Sequence, residues 1–185
     1  MSVSSRVSVE EYLAGDWPPN SQLIDGEVVV NDPALRHQRA VGAIHSELRW
    51  WCRAGPGRGE AGLGCNWVIP VGANVYKPDV WWLAASHVPP EDTIWLRRVP
   101  DLAVEVRSPG TWRYDTGIKR QIYEEAGLPE LWLVDPVDQT FQVLRRSSLA
   151  ATGFDVEERW AGASGDHAHS PQLPGWSLPV ASLFR

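Results

Sequence analysis

The sequence predicts a mixed central β-sheet flanked by helices, in the α/β (α+β) class, and three observations carry that reading. Residues 100–136 run strand, loop, helix, strand, which is the βαβ unit. Asp25-Gly26 sits between Leu23-Ile24 and Val28-Val29-Val30, and this dipeptide strongly favours a two-residue hairpin turn. The chain has 185 residues, 43% of them hydrophobic, enough for one core that buries roughly 70% of the unfolded surface. Residues 1–185 are therefore expected to form a single domain.

Taken in order, Ser8-Val9-Glu10-Glu11 has the spacing of a capping box and opens a first helix that Gly15 and Pro18 close. After the hairpin, Asp32-Pro33 pairs an N-cap residue with proline at the first helical position, and Val41, Ile44, Leu48 and Cys52 form an apolar stripe. His37 lies one turn before Val41 on that side, either as a satisfied histidine packed at the sheet or as a contact to a substrate phosphate or to a residue that supports the site. Residues 54–60, rich in Gly, Pro and Arg, form a loop. Residues 60–70 and 75–84 read as strands around a turn at 71–74. Pro78 has no N–H to give to a ladder, so Asp79 is placed at the entrance of the second strand. Residues 85–99 form a polar connection, expected to be a mobile loop beside the site.

In the central unit Leu102, Val104 and Val106 alternate with Asp101, Ala103, Glu105 and Arg107, the period of a strand whose second face carries ionisable groups. Ser108-Pro109-Gly110 ends it. Ile118, Ile122, Tyr123 and Ala126 recur at helical spacing, and Gly127 followed by Pro129 stops that helix. Leu131 to Val134 is the next strand. A carboxylate on the first strand of such a unit can face a cation on its helix, here Glu105 and Lys119. Phe141 to Leu144 follows through a turn at 136–139, Phe154 to Trp160 is a candidate edge strand, and residues 173–184 are expected to pack the C-terminus onto the core. His167 and His169 stand in a Gly, Ser and Ala-rich loop where metal binding is not expected.

Charge and composition narrow the function. The formal net charge is −6, which argues against a nonspecific nucleic-acid coat protein but not against a nuclease, whose metal site gathers carboxylates. The basic residues are clumped, with Arg97, Arg98, Arg107, Arg113, Lys119 and Arg120 in one stretch; they form either a solvated face or contacts to phosphate. Two cysteines, Cys52 and Cys65, lack a Cys-x-x-Cys spacing, and no leader is seen, so a reduced cytoplasmic setting is expected. No apolar run approaches the roughly 20 residues of a membrane helix. Eleven tryptophans are unusual. Trp81 could stack on a base, with core packing the better reading.

Strand geometry could gather Glu27 from the hairpin, Asp79, Glu105 and Lys119. Two carboxylates held about 4–5 Å apart repel unless a cation lies between them, and Mg²⁺ accepts one or two carboxylates while keeping waters and room for phosphate oxygens. It activates bound water and stabilises charge in phosphodiester hydrolysis, while a nearby ammonium orients or deprotonates that water or neutralises the phosphate. The structural alternative is that Asp79 and Glu105 cap turns or pair with Arg107 and Lys119 at the sheet edge.

A longer series of residues bears on that choice: Leu23-Ile24-Asp25-Gly26-Glu27, His37 heading a helix, Pro78-Asp79-Val80, Pro100 to Val106 with Ser108-Pro109, Tyr114-Asp115 with Lys119 and Tyr123, Gly127 to Trp132 with Val134-Asp135-Pro136, and Leu173-Pro174-Gly175. The series resembles the bacterial putative restriction endonuclease family of the PD-(D/E)XK nuclease superfamily, from about residue 8 to 184. The resemblance implies a restriction-endonuclease-like core and Mg²⁺-dependent cleavage of DNA, with Mn²⁺ as a possible substitute. It matches Asp79 and Glu105 to the metal-ligand positions, Glu27 to an acidic position on the early hairpin, and Lys119 to a helix lysine that stands in for the one missing two residues after the glutamate. Arg107 occupies that missing position; a guanidinium can bind phosphate but cannot act as a base. Gln22 stands where relatives often carry Glu. Alongside these, His37, Arg107 and Arg113 are candidate substrate contacts and Asp101, on the Glu105 face, a candidate supporting carboxylate. A homodimer is expected from the restriction-type resemblance. The alternative is a catalytically degenerate member that binds nucleic acid or a protein.

Overall fold

The computed structural model describes residues 6–148 and 150–184. Its first helix, α1 (Val9–Ala14), is closed by the predicted capping box: Ser8 Oγ accepts from Glu11 N–H and Glu11 returns the bond to Ser8 N–H. The hairpin is β1 (Ser21–Ile24) and β2 (Glu27–Val30). Its turn residues Asp25 and Gly26 have φ of 47° and 77°, the left-handed pair that this turn requires. The long helix α2 (Leu35–Arg53) begins after Ala34 rather than at Asp32-Pro33 and has no side-chain cap. Val41, Ile44 and Leu48 are buried as the stripe predicts.

Each of the next two predicted strands is divided between two sheets. Residues 60–70 give β3 (Glu60–Leu63) and β4 (Trp67–Val68), separated at Gly64, whose φ is 51°. Residues 75–84 give β5 (Val75–Tyr76) and β6 (Val80–Leu83), separated by Lys77-Pro78-Asp79. In both cases a residue unable to continue a ladder marks the transfer. After β7 (Leu102–Val106), the helical segment is Trp112–Tyr114 (α3), a wide π-type turn over Asp115–Lys119, and Arg120–Glu125 (α4), with Gly117 outside helical geometry. β8 (Glu130–Asp135), β9 (Thr140–Arg145) and β10 (Val156–Ala161) follow, then the short pair β11 (His167–Ala168) and β12 (Leu178–Pro179).

The larger sheet has the order β10-β9-β8-β7-β6-β3, with β7 and β8 parallel across the helical connection and the other neighbours antiparallel. The smaller has the order β2-β1-β5-β4. Period-2 alternation sorts the central strands between two cores. Val80, Trp82, Val104, Trp132 and Val134 pack with α2 and the C-terminal segment. Leu83, Ala103, Leu131 and Leu133 face the other way, against Ile122, Tyr123 and Leu128 and the smaller sheet's Ile24 and Tyr76. The C-terminal region is tied to β8 by the fully buried Glu130, which accepts from Trp132 Nε1–H at 2.6 Å, Ser170 O–H at 2.7 Å and Gln172 Nε2–H at 3.1 Å.

Residues 85–99 are not beside the Glu105 end of β7. They leave the far end of β6, fold through a short 3-10 turn (Ala85–His87), and return to β4, where Leu96 is buried and Val68 N–H donates to Leu96 O at 2.7 Å. The alternation of polar residues in that stretch hides this docking, because one apolar anchor suffices to fix it.

Candidate active site

β6 and β7 run antiparallel with Val80 opposite Val104, so continuing the register by one residue sets Asp79 opposite Glu105. Asp79 lies just outside the ladder, after Pro78, and its side chain replaces the missing backbone partner: Oδ2 accepts from Val106 N–H at 2.7 Å. Its Oδ1 faces His37 Nε2 at 3.2 Å. The other ring nitrogen, Nδ1, lies 3.1 Å from both Val106 O and Ser108 Oγ. A carboxylate only accepts, so Nε2 donates to Asp79, while Nδ1 accepts from Ser108 O–H in the neutral ring or donates to Val106 O when the ring takes a second proton and a positive charge. Burial opposes that charge, but the hydrogen bond and charge of Asp79 prevail and hold the His37 pKa above its usual value.

Glu105 stands on the strand's opposite face from Val104 and is 3% exposed. Its Oε1 receives Tyr123 O–H at 3.0 Å and lies 2.7 Å from Lys119 Nζ. Lys119 is 1% exposed and also meets Asp115 Oδ1 at 2.8 Å, while its ammonium sits 5.3 Å from the centre of the Tyr76 ring. The wide turn at Asp115–Lys119 turns both of its ends inward, and the i,i+4 spacing brings the two side chains together. Two carboxylates and one ammonium share this dry pocket, so one negative charge lacks a partner. Burial is the dominant influence on Glu105 and lifts its pKa to about 8, against the pull of Lys119. Burial disfavours the Lys119 charge as well, but Asp115 and Glu105 together outweigh it and keep the ammonium protonated well above its usual range.

The remaining predicted residues lie apart from this centre. Glu27 is exposed on the hairpin, where it accepts from Tyr114 O–H at 3.3 Å. Arg113 stacks over the Tyr114 ring at 4.8 Å and donates to its hydroxyl. Arg107 is held by Asp135 at 2.7 Å and Asp138 at 3.5 Å. Asp101 does not support Glu105. It sits about 13 Å along the strand at the usual rise per residue, where it accepts from Ala84 N–H and pairs with His87 and Arg98. Alternation identifies a shared face but not how far along it two groups lie. Asp115 and Tyr123 were absent from the sequence-level candidates; the Asp115–Lys119 spacing was the available signal for the first, while Tyr123 reads as core. Trp81 is half-buried edge-to-face against Trp67, with centroids 5.7 Å apart, so it packs rather than presenting a stacking face.

A polar cleft of about 220 Å³ opens on the Asp79 side, bordered by Gln22, His37, Lys77 and Asp79. Among the described residues no three His, Cys, Asp or Glu side chains converge as a metal cage. A magnesium ion needs only one or two carboxylates plus waters, and Asp79 and Glu105, on neighbouring strands at adjoining register positions, would be its protein ligands. Burial raises the Glu105 pKa even against Lys119, so a further positive charge beside it would favour its ionised form. The residues present therefore fit a hard divalent ion with two protein ligands. No helix among the described residues is long and apolar enough to cross a membrane.

Residues 9–181 match a family model, Uma2, described as a putative restriction endonuclease. The crystal structure of a putative nuclease belonging to DUF820 from Anabaena variabilis superposes with a TM-score of 0.81 at 19% identity, covering 96% of this chain and 97% of that one; this likeness establishes the fold. No curated protein matches.

Proposed function

The chain belongs to the Uma2 family of putative restriction endonucleases, and on that premise we propose that it is a Mg²⁺-dependent endonuclease hydrolysing DNA phosphodiester bonds. The observation that carries this reading is the facing pair Asp79 and Glu105 with Lys119 against it at 2.7 Å. Asp79 and Glu105 would hold the ion, which when bound supplies an activated water and neutralises phosphate charge. His37 fixes the rotamer of Asp79, and Tyr123 fixes that of Glu105. Lys119, protonated by its two carboxylate neighbours, acts as a cation that orients and neutralises rather than as a base. Mn²⁺ is expected to substitute for Mg²⁺. A homodimer in the cytoplasm belongs to the same reading, because cutting both strands calls for two sites and Trp50, 71% exposed on α2, offers apolar surface.

Two observations favour a second reading, a degenerate member that binds nucleic acid or protein without cutting: Lys119 is sealed between two carboxylates, and no third acidic ligand joins Asp79 and Glu105 among the described residues. The deciding experiment incubates supercoiled plasmid, linear duplex, single-stranded DNA and RNA with Mg²⁺, Mn²⁺ or a chelator, beside Glu105→Gln. Cutting that needs both the metal and Glu105 supports the endonuclease; an intact panel transfers the site to the binding reading.

A further inference from the structure

The cleft beside Asp79 opens where β1, the start of α2 and the Lys77–Asp79 crossing meet. Three of its features, on different elements, select the charge of an occupant. Gln22 is 6% exposed, and its side chain accepts from Lys77 N–H at 2.9 Å. A backbone N–H can only donate, so the accepting atom is the amide oxygen and the NH₂ is left for the cleft. That NH₂ has no hydrogen-bond partner among the described residues, although Gln22 is almost wholly buried. The 19-residue α2 begins after Ala34 without a side-chain cap, and Pro33, His37 and Gln38 at its start border the cleft, so the positive end of its dipole lies beside it. Lys77 borders the same space, and no carboxylate pairs with its ammonium among the described residues. The nearest acid, Asp79, already turns one oxygen to Val106 N–H and the other to His37. Gln22 gives the cleft a donor and no free oxygen, Lys77 gives it an unpaired cation, and Asn20, Asn31 and Gln38 add side-chain amides able to donate or accept.

We propose that this cleft is a phosphate subsite, in which the Gln22 amide and the Lys77 ammonium, beside the positive end of α2, hold the non-bridging oxygens of a nucleic-acid backbone phosphate next to Asp79. The identity of the polymer rests on the endonuclease reading; the selection of an anion does not. Phosphate has acceptor oxygens on every side, which matches an amide donor and an ammonium arriving from two elements. Gln22 thereby sets the register of the backbone relative to Asp79 and is a positioning residue rather than a catalytic one.

The test follows the side-chain amide signals of Gln22 by NMR in ¹⁵N-labelled full-length protein during separate titrations with inorganic phosphate and with MgCl₂. Binding of a short fluorescein-labelled DNA duplex in chelator is measured alongside by anisotropy. Phosphate is expected to move the Gln22 signals saturably. Lys77→Met should weaken both phosphate and duplex binding roughly tenfold and reduce the salt dependence of duplex binding by about one phosphate contact. Gln22→Glu keeps an acceptor for Lys77 N–H, and so the fold, while the backbone amides of His37 and Lys77 in this variant should stop responding to phosphate and begin to respond to Mg²⁺. Gln22 signals that ignore phosphate, or that move with MgCl₂ alone, overturn the proposal. DNA cutting with an unresponsive Gln22 refutes this subsite and leaves the endonuclease intact; a phosphate response without DNA binding or cutting keeps the anion site and refutes the endonuclease.

Discussion

Lys119 is the residue on which the centre depends for its charge balance, because it is the one cation between Glu105 and Asp115 in a pocket closed to water. Removing one member of a buried, hydrogen-bonded charge group leaves the others unpaired and costs about 3–5 kcal/mol. Lys119→Met should therefore lower the free energy of unfolding by an amount in that range, measured by urea denaturation followed by circular dichroism, whether or not the protein cuts DNA. Glu105 gives a pH signature of defined sign. Its pKa rises from 4.5 to about 8 on folding, so the folded state holds the proton longer than the unfolded chain does. The stability it contributes is complete below about pH 4.5 and is lost as pH rises through about 8. His37, also raised, acts in the same direction. Urea midpoints recorded between pH 5 and 8.5 should fall with pH in chelator, and Mg²⁺ should flatten the fall, since a bound cation favours the ionised Glu105. A Mg²⁺-independent slope would argue against ion binding at Glu105.

At the scale of elements, legibility followed the length of the repeating signal. The hairpin was readable because Asp25-Gly26 specifies its turn chemically, and the unit from β7 to β8 because a five-residue alternation, a helical stripe and a glycine stop agree with one another. From that alone Glu105 and Lys119 could be set face to face. The splitting of residues 60–70 and 75–84 was not readable, because the two-residue strands β4 and β5 are too short to carry a period and their partners are chosen by tertiary packing. The same limit hid Asp115: the helical pattern ran across Gly117 as if unbroken, whereas the wide turn there is what aims two consecutive turns of side chain at the strand. Close backbone approach is a further element-level constraint. A Cβ on Gly59, whose φ is 77°, would come within 1.9 Å of Leu83 O in the neighbouring strand. Gly59→Ala should cost about 1–3 kcal/mol in unfolding experiments while leaving any Mg²⁺ response of the Glu105 centre in place, since it acts at the opposite end of β6.

Across the whole molecule, a net charge of −6 gives no general attraction to DNA, which leaves recognition to local groups and any bound cation. The architecture concentrates those groups at one place. Chain passes from one sheet to the other at Gly64 and again at Lys77-Pro78-Asp79, and both passages border the polar cleft. The two sheets are thus the leaves of a book, and the cleft runs along its spine. Whatever grips the spine also sets how freely the outer leaf can swing, including β2, which makes no direct contact with the cleft's acid. Occupancy can then be read far from where it occurs: the amides of β1 and β2 should exchange with deuterium more slowly once the cleft is filled, and a hairpin whose exchange ignores ligand would mean that the leaves move independently.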